Sequence, residues 1–523
     1  MRRLAIVCLL LGQDAAPSRE EAERLFASVV HPVLKAKCLG CHGDDPKKLK
    51  GELDLATRAG LLKGGESGKP AVVAGKPDES PLYLGVTRKD DAFKMPPKDR
   101  DALVAAEVDA FRRWIAGGAP WPEPKDPWAG TNPADVWAFR PRSSPVPPPG
   151  AAHPVDAFLL ERLRAKGLEP AGPADPATLL RRATFDLLGL PPKPEEIDAF
   201  LADGDFGKVV DRLLARPEYG EQWARHWLDV VRYADTSGFS NDFERPNAWR
   251  YRDYVVRSFN RDTPYDRFIL EQLAGDELDP ADPELLVAAG FLRMGPWEHT
   301  AMSVAALTRQ HFLDDVTHAT SAAFLGLTMR CARCHDHKFD PLPTRDYYRL
   351  QAVFASTQFA ERPAAFLPAE NTAGFAEAKA LGERRLREKG YSPVGDGPAD
   401  EKMRRSLDKV GVKRREHLSR ELLRYEPLAF SVYGGPLRTY VSNNPRNAMP
   451  KDRAGSAQEV SVLRGGALES PMEKVGPGVL TAVPGTALIP DSLEGRRLAL
   501  ARWIASPSHP LTARVLVNRV WQH

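Results

Sequence analysis

Of the five cysteines in the chain, four fall into one repeated pattern. Cys38-Leu39-Gly40-Cys41-His42 and Cys331-Ala332-Arg333-Cys334-His335 are both C-x-x-C-H. In that arrangement two thiols add across the vinyl groups of a haem, and the adjacent imidazole supplies a nitrogen to iron. Two cysteines three apart lie on one side of a helical turn, and the next residue points at the metal they flank. Zinc competes for such a motif, but it wants four ligands and usually a second cysteine pair, and none lies near Cys38. A redox dithiol leaves the histidine unexplained. Two disulfides, the ordinary use of four cysteines in an exported protein, leave the repetition itself without a reason.

A haem iron held by His42 needs a ligand on its other face, and Met95 in Lys94-Met95-Pro96-Pro97 is the candidate. The prolines hold a non-helical backbone that presents the thioether rigidly. Met95 is the only methionine between Cys38 and Met294. A Met/His pair raises the potential and closes the coordination sphere, which suits electron transfer rather than oxygen chemistry.

The second motif is more open. A second haem with His335 as proximal ligand is one reading. A non-haem metal held by Cys331, Cys334, His335 or His337 is another, and a structural turn with bridged thiols is a third. His311, Asp314 and His318 recur along one helix face and can ligate iron or a divalent ion, or simply form a solvated face. Met302 and Met329 are further candidates for the outer position. A five-coordinate iron here would permit peroxidase-like chemistry, with Asp336 and His337 as proton-handling neighbours.

Elements must position these groups. Leu25, Phe26, Val29, Val30, Val33 and Leu34 recur at helical spacing before Cys38. Leu103, Val104, Val108, Phe111, Trp114 and Ile115 form a second stripe, ended by Gly117-Gly118. Packed together they would shield a porphyrin edge. Residues 123–152 are proline-dense, a stiff and largely extended linker. Helical periodicity returns at Val155, Phe158, Leu159 and Leu163, and again at Trp223, Trp227, Val230 and Val231. Thr263 stands where it can cap a helix bearing Phe268, Ile269 and Leu273. Few alternating runs occur before residue 360. Residues 361–490 combine a charged helical segment with short strands such as Phe430-Ser431-Val432-Tyr433 and Val460-Ser461-Val462-Leu463. Helix resumes over 491–523.

The chain has 523 residues, enough for about three to four domains. Its 73 basic residues nearly cancel 70 acidic ones, leaving +3 and no electrostatic reason to expect nucleic acid or an anionic membrane as partner. The apolar run at residues 4–11 is too short to span a bilayer. Preceded by Met1-Arg2-Arg3 and followed by Ala15-Ala16, it reads as a secretory signal peptide over residues 1–16, the alternative being a buried N-terminal helix. Val7 before Cys8 makes a poor lipoprotein cleavage box. The expected location is the periplasm or cell surface.

Cys38–His42, Lys94-Met95-Pro96-Pro97 and Trp114-Ile115 with Gly117-Gly118-Ala119-Pro120-Trp121-Pro122 resemble the planctomycete-type cytochrome c domain, over residues 20–122. The block from Cys331 through His335-Asp336-His337-Lys338-Phe339-Asp340-Pro341 is similar to an uncharacterised family that commonly follows that domain. With it go Trp227-Leu228-Asp229, Arg232-Tyr233-Ala234-Asp235 and Tyr265-Asp266-Arg267-Phe268, so the likeness covers residues 153–360. His509-Pro510-Leu511-Thr512 and Val517-Asn518-Arg519-Val520-Trp521-Gln522-His523 resemble the opening of a third family, in a pattern that stops partway. The expected fold is mainly α: an N-terminal cytochrome c-like α domain, a larger helical middle domain and a smaller mixed α/β C-terminal region. The expected protein is an exported c-type cytochrome carrying electrons through one or two covalent haems. Cys38, Cys41, Cys331 and Cys334 would be anchors, His42 and His335 proximal ligands, and Met95 a distal one. Its partner would be another redox protein or a dehydrogenase. A diheme peroxidase-like oxidoreductase, or a surface protein binding polymer through its C-terminal domains beside an auxiliary haem, are the alternatives.

Overall fold

The computed structural model describes residues 17–43, 49–89, 93–121, 133–239, 242–298, 304–387, 417–438, 448–485 and 487–523. The expected signal peptide, Met302 and much of the charged segment lie outside the described residues. The fold is mainly α with two small two-stranded sheets. The chain divides into two compact units, residues 1–129 and 130–523.

In the first unit, Ser18 caps a helical run by accepting the Glu21 N–H. The run passes through Arg19–Leu25, a π turn at Phe26–Val30 and His31–Lys37. Its buried face (Ala22, Phe26, Val30, Val33, Leu34) shares one core with Ala110, Phe111, Trp114 and Ile115 of the Ala105–Ala116 helix. The Trp114 indole N–H donates to Pro120 O at 2.8 Å, so its buried polar atom is satisfied. Gly117 allows the close approach: a Cβ there would lie 2.5 Å from Ala22 Cβ. Val104 departs from the expected stripe. It is the exposed N-cap of its helix, with extended backbone, so helical periodicity does not reach it. Glu107 closes that cap by accepting the Val104 N–H, and it also takes Lys37 Nζ at 2.8 Å.

The second unit gathers Phe139 and residues from Ala224 to Leu511 into one large core, and Leu180, Leu188, Phe200, Val209 and Leu213 form a smaller one of their own. The later part of segment 153–360 therefore shares its interior with residues of 361–490 and 491–523. Strand β1 (Thr357–Pro363) pairs antiparallel with β2 (Leu428–Gly434), Thr357 opposite Gly434. Strand β3 (Val460–Leu463) pairs with β4 (Pro471–Val475). Arg497, on the helix Arg496–Ala505, is fully buried and forks onto Asp276 at 2.6 and 2.8 Å, tying its helix to the helix Tyr265–Leu278. That helix begins after Pro264 and has no side-chain cap, so Thr263 does not act as expected. The stripe of the Pro154–Ala165 helix is also weaker than its spacing implies: Val155 and Leu159 are exposed and only Ala157 is buried. Inside the expected 123–152 linker, Trp137–Phe139 forms a 3-10 turn rather than extended chain, and it buries Phe139 in the core while Trp137 stays exposed, since removing the phenyl ring from water favours the turn.

Candidate haem site

The first motif grows out of a helix end. His31–Lys37 stops at Cys38, and Leu39–His42 makes one further helical turn. The N–H groups of Cys41 and His42 both donate to Cys38 O, at 3.1 and 3.0 Å, which sets the two thiols and the imidazole around a single turn. Leu55 N–H donates to His42 O at 2.7 Å and pins the far end. Gly43 permits this contact, since a Cβ there would sit 2.8 Å from Leu39 Cδ2 and 2.9 Å from Ala56 Cβ.

Met95 arrives from the other side. Its N–H donates to Gly85 O at 3.0 Å, hanging the methionine loop on the short helix Pro81–Thr87. Arg88, just past that helix, reaches Pro96 O and the Asp99 carboxylate and straps the loop a second time.

Cys38, Cys41, His42 and Met95 all line one cavity of about 360 Å³, within the general range of roughly 300–1,000 Å³ for cofactor pockets. Leu53, Leu55, Leu82, Val86 and Phe93 give it apolar walls. The two long apolar stripes face each other in the core instead, and none of their residues lines the cavity. Cys38 is buried, and desolvation pushes its thiol up to about 11, whereas Cys41 is exposed. His42 is half-buried and its Nδ1 is buried without a hydrogen-bond partner among the described residues. Two uncommitted thiols, an imidazole and a thioether around an apolar slot are a donor set that fits a covalently tethered haem.

The second motif is built differently. Met329–Arg333 is a 3-10 turn, and Cys331, Cys334 and His335 are exposed. None of the three lines the cavity above, nor two others of about 580 and 420 Å³ near Glu421 and His509. The Cys334 sulfur packs on Gly466, where a Cβ would lie 2.7 Å from it. His335 Nδ1–H donates to Asp336 O at 2.7 Å.

Its neighbours serve the fold. Asp336 accepts the Thr344 N–H at 2.6 Å, and buried His337 accepts the Asp340 N–H at 3.0 Å, so the pair expected to handle protons holds the turn. Asp314 accepts from Tyr347, Gln310 and Gln351 and pairs with Arg333 at 3.0 Å. His311 is exposed, while burial and then Arg232 and Arg330 lower the pKa of His318. These three do not converge on a metal-sized site; among the described residues only Glu244, His417 and Glu421 bring ligand atoms within 4.8 Å of one another, near the surface. Met329 is buried in the core.

Sequence reasoning missed the cavity walls and Gly85. A signal was available in Gly51, Gly64 and Gly65, which mark close-packed turns around the slot.

Comparison with known families fits this division. No curated protein and no solved structure matches the chain. The family model described as Planctomycete cytochrome C matches residues 38–99, a protein of unknown function (DUF1549) matches residues 154–359, and a second one (DUF1553) matches residues 496–523. The chain thus carries three family segments in order, the third represented by its start alone, and the first, running from Cys38 past Met95, is of a cytochrome c kind that implies covalently bound haem c.

Proposed function

We propose that the chain is an exported electron carrier holding haem c in the cavity of its N-terminal unit. The observation that carries this reading is the convergence of Cys38, Cys41, His42 and Met95 on one apolar slot. Haem c, when bound, supplies a one-electron couple. Cys38 and Cys41 would tether it, and His42 and Met95 would ligate its iron. Leu53, Leu55, Leu82, Val86 and Phe93 would exclude water, which together with those two ligands would set the potential. Export accords with covalent haem attachment and with the basic, apolar and small-residue order of residues 1–16. Among the described residues no helix is long and apolar enough to cross a membrane. The partner would be a second redox protein or a dehydrogenase.

Pyridine haemochrome quantitation of the full chain, matured in a host with cytochrome assembly machinery, tests the reading. The expected result is haem in the wild type and in C331S/C334S, with loss from the first site in C38S/C41S. One haem per chain confines the cofactor to the N-terminal unit, and two extends it to Cys331, Cys334 and His335. A colourless wild-type preparation overturns the proposal.

A further inference from the structure

The charged residues that line the cavity are mostly cationic. Lys37, Lys50 and Lys69 line it, with Glu66 as the single acid. Lys37 is committed, its Nζ donating to Glu107 at 2.8 Å and to Ala102 O at 3.3 Å. Lys50 and Lys69 are exposed, and their ammonium groups have no ion pair or hydrogen bond among the described residues. They stand far apart in sequence, and glycine backbones bring them together. Gly51 turns with φ +63°, and its carbonyl accepts the Glu66 N–H at 2.8 Å. A Cβ on Gly65 would lie 2.2 Å from that same carbonyl. Gly64, at φ +78°, packs against Lys69 O, where a Cβ would lie 1.8 Å away. Two turns are thereby joined with no side chain between them, and each contributes one lysine to the lining of the cavity.

A haem tethered through its vinyl carbons carries two carboxylates on the remaining edge. Their burial without cationic or hydrogen-bonding partners is costly. We propose that Lys50 and Lys69 receive the two propionates of the haem and act as positioning residues that raise its potential. This rests on the haem reading of the cavity. Reduction adds an electron to the ring and iron, so a nearby ammonium favours the reduced form, and removing it leaves a carboxylate uncompensated. Glu66 on the same rim works in the opposite sense.

The test uses full-chain holoprotein with haem content measured first in every sample. Wild type, K50Q/K69Q and K50R/K69R are then titrated by spectroelectrochemistry, and the propionate bending band is followed by resonance Raman. The expected result is a lower midpoint potential and a shifted band in K50Q/K69Q, with the wild-type potential restored in K50R/K69R. An unchanged potential and band at full haem content overturn the proposal, even if transfer to a partner slows, since the lysines would then serve docking. Should K50Q/K69Q fail to take up haem, the single variants K50Q and K69Q are read the same way: a shifted band supports the proposal and an unmoved one overturns it. A wild type without haem fails the cavity reading itself, which separates the two failures.

Discussion

Gly85 offers the sharpest test of how Met95 is held. It is buried on the helix Pro81–Thr87 and lines the cavity, and its carbonyl accepts the Met95 N–H. A Cβ added there would meet Phe93 Cε1 at 3.2 Å, Met95 Cβ at 3.4 Å and Met95 Cγ at 3.5 Å. All three are side-chain atoms that yield by a few tenths of an ångström. Alanine also gains up to about 1 kcal/mol of helix propensity over glycine. Gly85→Ala is therefore near neutral, with Met95 undisturbed. Gly85→Leu pushes three further carbons toward Met95, and overpacking of that kind costs about 1–3 kcal/mol. The cheapest relief is to swing the methionine out of the slot. Absorption spectra and midpoint potentials of the two holoproteins provide the assay. Gly85→Ala should keep the wild-type spectrum and potential. Gly85→Leu should lose the far-red methionine-to-iron band and fall in potential, because the thioether is the ligand that raises it. A leucine variant with wild-type band and potential would refute the claim that Gly85 holds space for Met95, and a wild-type holoprotein lacking the band would refute the assignment of Met95 to the iron.

Two predictions concern the larger unit. His509 is buried, and desolvation lowers its pKa to about 4, while its Nδ1 accepts the Leu511 N–H at 3.3 Å. The unfolded chain takes up this proton below about pH 6.5 and the folded chain only below about 4, so stability falls as pH drops through that window, by roughly 3 kcal/mol in all. Denaturant midpoints measured from pH 7 to 4.5 should fall more steeply for wild type than for His509→Asn, which keeps a cap acceptor; parallel slopes would contradict this. Arg497→Met leaves Asp276 and Glu277 buried with, among the described residues, one cationic partner, Arg362 at 3.5 Å from Asp276, and the Leu498 N–H on Glu277. Breaking such a buried pair costs about 3–5 kcal/mol, and Asp276→Asn in the same chain should recover part of it. A loss below about 1 kcal/mol by tryptophan-monitored unfolding would mean that the pair contributes little.

What was legible in the sequence is what local chemistry imposes. A thioether-tethered cofactor demands two cysteines and a histidine within one helical turn, so Cys38, Cys41 and His42 announce themselves. Met95 stood out by its scarcity and its prolines. The strands at Phe430 and Val460 were readable as short stretches between Gly and Pro turns. The cavity walls were not readable. Leu53, Leu55 and Phe93 sit on loops, and Leu82 and Val86 on a seven-residue helix, all too short for periodicity to register. The long stripes at Phe26 and Phe111 gave the stronger signal, but that signal belongs to the core. Strand β1 was hidden too, since its partner lies about seventy residues on, and only the non-local pairing makes it a strand. The shared interior of the second unit has the same cause: Arg497 reads as a surface charge until Asp276 is placed against it.

The two C-x-x-C-H motifs make this limit concrete. Five residues of identical pattern form an α turn continuing a helix in one place and begin inside a 3-10 turn in the other. The pattern specifies the reactive atoms, but a porphyrin also needs an apolar slot and a ligand across it. At Cys38 the chain supplies both, from residues up to 57 positions downstream, in Leu53, Leu82 and Met95. At Cys331 the surrounding groups are spent on the fold: Asp336 and His337 hold their own turn, Asp314 binds Arg333, and Met329 is core. Haem at the second motif would therefore require a distal ligand from outside this set, or an iron left open on one face. Those two cases differ in spin state, so the ferric spectrum of a C38S/C41S protein discriminates between them.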